Sequence, residues 1–230
     1  MSLANYHRIC SFVRQRRAAS TVEFAFLVPV VLLLLLMGFD TGRYVLATER
    51  IQEVANSVAE MLSQTNVAAS PMNSGDGVVL DSDLHYYSDS AMVTYPDVLA
   101  VANNTGTFWW QLLKVQMTSV KFNATPAGCT SSCTYKPTVM WTTGARSCGI
   151  NLTAATDTSL YSPSTLPTDV FGPGSIIVVD VSYTFTPTIG AAYMPAISIE
   201  RSAFMPPRNV PYVESQATSK APPCSGVTLP

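Results

Sequence analysis

A chain of 230 residues with a net charge of -2 and only 12% charged residues has no electrostatic footprint for nucleic acid. Four of its 13 basic residues, Arg8, Arg14, Arg16 and Arg17, lie among the first 18, which leaves 9 against 15 acidic ones, a balance of -6, in the remainder. Catalysis has little to stand on: the only histidines are His7 and His85, and no Gly-x-Ser-x-Gly, His-Glu-x-x-His or phosphate-binding glycine loop occurs.

The first 18 residues carry no acid. Sixteen unbroken uncharged residues run from Phe24 to Phe39, entered through Ser20-Thr21-Val22 and the lone carboxylate Glu23. With Val22 and the small residues before it, the stretch approaches the roughly 20 residues a helix needs to cross about 30 Å of hydrocarbon, so it reads as a single membrane span. The positive-inside rule then holds the N-terminus in the cytoplasm and exports the C-terminal bulk. A cleaved secretory signal is the competing reading, because a basic region and an apolar region are both present. Val45-Leu46-Ala47 would be its small-x-small site, but Asp40 and Arg43 separate that site from the apolar run.

Helical character continues past the span. Apolar residues recur at Ala47, Ile51, Val54, Ala55, Val58, Met61 and Leu62, with Glu49, Arg50, Gln52, Glu53, Asn56 and Glu60 opposite. No proline falls between Val30 and Ser70, so one helix from about Ser20 to Gln64, roughly 65 Å long, is expected. Pro29, inside the span, predicts a mild kink near Ala25. Ala69 to Ser90, rich in Ser, Gly, Asp and Asn, reads as an exposed loop.

Ala91 to Asn104 fits a short helix or a strand. Lys114 to Phe122 alternates as a strand, and Thr138 to Thr142 looks like its partner across a cysteine-bearing insert, Asn123 to Pro137. The clearest strand is Ile176 to Thr186, with Ile177, Val179, Val181, Tyr183 and Phe185 on one face and Asp180, Ser182 and Thr184 on the other. Ile197 to Phe204 returns beside it, and Pro206, Pro207 and Pro211 end the sheet. The fold class is α+β: a long N-terminal helix, half transmembrane and half amphipathic, packed on an antiparallel sheet and braced by disulfides. About 190 residues follow the span, enough for one domain with a real core.

Cys10 stands alone on the reducing side, whereas Cys129, Cys133, Cys148 and Cys224 form an even set on the oxidising side and predict two disulfides. Three connectivities are open. Zinc is the alternative for four thiols, but Cys129 and Cys133 lack a matching second pair. Asp81, Asp83, His85 and Asp89 invite a metal reading, yet their spacing does not match the EF-hand series, and a solvated acidic loop is expected with no metal and no cofactor. The sequons at Asn103, Asn123 and Asn151 are close to what chance supplies. Phe108, Trp109, Trp110 and Trp141 read as core or sheet-face residues.

The run Arg17-Ala18-Ala19-Ser20-Thr21-Val22-Glu23-Phe24-Ala25-Phe26-Leu27-Val28-Pro29, followed by Gly38-Phe39-Asp40-Thr41-Gly42-Arg43, resembles the type IV pilin signature. More particularly it is similar to the TadE-like minor pseudopilins of the tight-adherence (Tad) pilus system. Weaker matches are Thr118-Ser119-Val120 leading to Val139-Met140-Trp141, and a late strand ending in Tyr-x-Phe-x-Pro, here Tyr183 to Pro187. The resemblance is firm over about residues 14 to 50 and loose beyond. It implies a membrane prepilin peptidase that cuts between Ala18 and Ala19, making Glu23 the fifth residue of the mature chain. Most type IV prepilins carry glycine before the cut, where this chain has Ala18. It also implies the short form of the family, since 230 residues leave no room for an added adhesion-type domain.

The organisation expected from residues and resemblance together is a cytoplasmic basic leader (1–18), a transmembrane helix (19–40), its amphipathic extension (41–66) and a periplasmic α+β domain (67–230) with a flexible tail from about 214. Glu23 has two readings. It is either a juxtamembrane acid favoured by the helix dipole, or the partner of the new α-amine of Ala19 on a neighbouring subunit, which would set register because an unpaired carboxylate is costly near lipid. The implied function is non-enzymatic, in assembly of a Tad/Flp-type pilus. Its implied partners are the bilayer, the prepilin peptidase, other pilin or pseudopilin subunits and the assembly platform. The implied location is the bacterial inner membrane, with passage into a pilus after processing. The alternative is a single-pass anchored periplasmic binding or structural domain that never enters a filament.

Overall fold

The computed structural model describes residues 3–66, 75–144, 146–156, 162–192 and 194–216, with backbone alone for 3–20, 192 and 216. Helix α1 (Leu3–Ser63) runs unbroken through Pro29. It begins well before the expected Ser20, because nothing in the leader, neither proline nor glycine, stops a helix there. The chain divides into two compact units: the helix through Leu46 together with Thr186–Ala196, and Ala47–Phe185 together with the chain from Ile197 onward.

In the larger unit the apolar stripe of α1 is spent on packing. Ala47, Ile51, Val54, Ala55, Val58, Ala59 and Leu62 are all buried, while Met61, expected in the same stripe, is half-buried at its rim. Each large side chain so buried contributes about 1.5–3 kcal/mol. The helix contacts an antiparallel sheet of four strands in the order β3-β2-β6-β7, where β2 is Leu113–Thr125, β3 Thr134–Thr142, β6 Gly174–Phe185 and β7 Ile197–Met205.

The two ladders of β2 differ in register. Along β6, Val115 faces Val181, Met117 faces Val179 and Val120 faces Ile176 without interruption. Along β3, however, Ser119 pairs with Trp141 and Val120 with Val139, so Met140 is the extra residue of a β-bulge. The bulge sends Val139 and Trp141, two positions apart, to opposite faces. Val139 joins a core of Val120, Phe122, Leu152, Leu166, Ile176 and Val178. Trp141 is buried on the other side, where its Nε1 donates to the Val213 carbonyl at 2.8 Å. On the Ile177–Phe185 face, Tyr95 meets Tyr183 edge-on at 5.4 Å.

Both faces of β6 are therefore covered. Asp180, on the face that alternation gives to water, is buried beside Arg146, whose Nε and Nη2 donate to it at 2.7 and 3.0 Å. Ser202 donates to the same carboxylate at 2.6 Å, and Arg146 Nη1 reaches the Thr165 carbonyl at 2.8 Å. This ties the strands β4 (Thr153–Ala155) and β5 (Thr165–Pro167), which pair in parallel, to the main sheet.

Some local expectations change and one ambiguity is decided. Within Ala69–Ser90, read as a loop, Gly77–Leu80 is strand β1 and Asp81–Thr94 is helix α2. β1 pairs in parallel with β8 (Val213–Gln216), so residues 214–216, expected to begin a flexible tail, belong instead to a small second sheet, and the rest of that tail lies outside the described residues. The ambiguous stretch after Ala91 is helical, completing α2 and forming α3 (Asp97–Thr105). Of the four aromatics expected in the core or on a sheet face, only Trp141 is buried. Phe108, 59% exposed, stacks on Trp110 at 4.4 Å around the short helix α4 (Trp109–Leu112).

Candidate functional site

The candidate site is the membrane-proximal stretch of α1. From Thr21 to Phe39 no side chain is buried, and only Leu36 is half covered. A helix apolar on every side and uncovered by its own protein needs another apolar medium. Among the described residues it is the one helix long and apolar enough to cross a membrane. Glu23 is exposed at the start of this run, and Ala18 and Ala19 lie in the same helix, their side chains outside the description.

Directly after Phe39 the character reverses. Asp40 is only 4% exposed, although it sits on the same helix as the bare leucines. Its carboxylate accepts three backbone N–H groups from one segment: Thr188 and Ile189 at 3.2 Å each and Gly190 at 2.8 Å. Arg43, one turn on, donates from Nη1 to the Thr188 hydroxyl. A Cβ at Gly190 would lie 2.9 Å from the Met194 methyl, the far end of a flexible side chain, and 3.3 Å from Asp40 Oδ2, so the segment lies close against the latch. The segment Thr186–Ala196 thus forms a collar on the helix. Sequence reading used Asp40 as a charge after the apolar run and as part of the pilin-like motif, and gave it no partner, because the uncharged eleven-residue strand connection that holds it begins 146 residues later.

Cys129 and Cys133 form a disulfide at the tip of the β2–β3 hairpin. Cys148 is also disulfide-bonded, and Cys224 lies outside the described residues. Asp81, Asp83, His85 and Asp89 stand on α2, where Asp83 accepts the Leu80 N–H at 3.2 Å and caps the helix. Among the described residues no three His, Cys, Asp or Glu side chains come together as a metal site would require.

Glu23, the apolar run, Asp40 and the packed stripe lie within one segment that has a known counterpart. Residues 18–60 match the family model of TadE-like proteins. The match begins at Ala18, takes in Glu23, Asp40 and Arg43, and ends inside the packed half of α1. No curated protein and no solved structure matches the chain.

Proposed function

We propose that the protein is a TadE-like minor pseudopilin acting in the assembly of a Tad/Flp-type pilus. The observation that carries this reading is the TadE-like segment 18–60 as it stands in the fold: an uncovered apolar helix entered through Glu23 and continued without a break into a packed domain. Before assembly the span sits in the bacterial inner membrane, N-terminus in the cytoplasm and the larger unit in the periplasm, as Arg8, Arg14, Arg16 and Arg17 dictate. A prepilin peptidase cuts between Ala18 and Ala19, which removes all four of those arginines. The new amine of Ala19 then pairs with Glu23 of a neighbouring subunit, because a carboxylate drawn toward lipid is stable only when paired.

N-terminal sequencing after co-expression with the cognate peptidase tests the reading. The expected mature chain starts at Ala19. Ala18→Trp should block cleavage, whereas Glu23→Ala should be cleaved and then be missing from sheared pili. A chain that keeps its leader beside an active peptidase would instead be an anchored domain that uses its span as a tether.

A further inference from the structure

The collar has a surface that its latch does not use. Ile189 supplies one of the three amides held by Asp40 and Met194 follows four residues after the last of them, yet the two residues remain 41% and 38% exposed. Phe39, next to Asp40 on the helix, is 57% exposed. The eleven residues Thr186–Ala196 contain no charge and carry Ile189, Tyr193 and Met194 in sequence. Connections between antiparallel strands are usually 2–5 residues and polar. This one is longer, apolar, and fastened to the helix at a particular level.

That level follows from helix geometry. Nineteen residues from Thr21 to Phe39 rise about 28 Å, close to the thickness of the hydrocarbon layer. Asp40 is the next residue, so the segment bonded to it lies where headgroups meet acyl chains. A bare carboxylate at that depth would demand water, but this one is already satisfied by amides and can sit against lipid.

We infer that Thr186–Ala196 is a membrane-interface foot, in which Ile189 and Met194 enter the outer boundary of the same bilayer that the helix crosses, with Asp40 as the latch that sets their depth. The foot rests on the membrane-anchored reading of α1 and adds a second lipid contact beside the span. Apolar side chains in this position are buried about 5–10 Å into the boundary region.

The test uses the full chain with Cys10→Ser, reconstituted in phosphatidylcholine/phosphatidylglycerol vesicles, with an environment-sensitive fluorophore on Ile189→Cys and, separately, on Met194→Cys. Both labels should emit blue-shifted light, be quenched more by nitroxides near the headgroup than by nitroxides deep in the acyl chains, and resist aqueous iodide. Asp40→Asn should weaken the latch and raise iodide quenching at both positions. Iodide-accessible labels on protein that co-floats with vesicles would overturn the foot alone. A blue shift without quenching by any lipid nitroxide would mean cover by protein and would overturn it equally. Protein that fails to co-float would overturn the span and the foot together.

Discussion

Asp180 is a buried carboxylate on a strand face where sequence alternation places water-facing residues. It is tolerable there because Arg146 meets it with two guanidinium nitrogens and Ser202 adds a third donor. Such a pair contributes little relative to apolar residues of the same shape, but breaking one half leaves a charge without a partner. Arg146→Met and Asp180→Leu should each lower unfolding free energy by about 3–5 kcal/mol in a denaturant titration, with the double variant recovering a large part of the loss. Nothing in the sequence pairs these two, since they are 34 residues apart and Arg146 follows a strand rather than standing in one.

Burial also governs two tyrosines. Tyr212 and Tyr87 are each held above the usual phenol range, chiefly because burial penalises the phenolate. An unfolded tyrosine titrates near 10, so the unfolded state loses its proton first and stability falls as pH rises above about 10. For each tyrosine the limiting slope is about 1.4 kcal/mol per pH unit. Tyr212→Phe should flatten the alkaline limb of a melting-temperature profile and leave the profile below pH ~9 unchanged in shape.

At the scale of elements, the packed half of α1 offers the sharpest contrast between faces. Val58 is fully buried, whereas Glu53 is exposed and pairs with the exposed Arg50 at 2.6 Å. Val58→Asp should destabilise the larger unit by more than about 3 kcal/mol, and Glu53→Lys should stay within about 0.5 kcal/mol. If both variants melted like the parent protein, the stripe would not be bearing on a core. The stripe was legible because its period is local: every member sits three or four residues from the next. The β2–β3 hairpin and the β6–β7 pair were legible for a similar reason, each being close in sequence. β1 was not, because its partner β8 lies more than 130 residues away and four residues carry too little alternation to declare a strand alone. The start of α2 was readable in principle from Asp81 and Asp83 in its first turn, but the Ser, Gly and Asp content before it points to a loop. The bulge at Met140 has no signature of its own.

For the whole molecule, oxidation state should follow the sidedness of the span. The expected mass after non-reducing alkylation shows one modified thiol, Cys10, in unprocessed chain and none in chain beginning at Ala19. Peptide mapping should recover Cys129 bonded to Cys133 and Cys148 bonded to Cys224. The second link would fasten the tail, whose 14 residues from Ala217 lie outside the description, to the β-rich unit. Alkylation of Cys129, Cys133, Cys148 and Cys224 in unreduced protein would contradict this arrangement.

The Asp40 latch joins residues 150 positions apart, and that separation sets a schedule. At 5–20 residues per second, roughly 8–30 s pass between synthesis of Asp40 and synthesis of Gly190. Throughout that interval the span is already made while the amides that will hold Asp40 do not exist, so water has to carry the carboxylate. Only after β6 has been delivered can Thr188, Ile189 and Gly190 replace that water. Closure of the latch is therefore a late event in the life of the nascent chain, and a chain in which it has closed is one whose β6 strand has been synthesised and has delivered Thr188, Ile189 and Gly190 to Asp40.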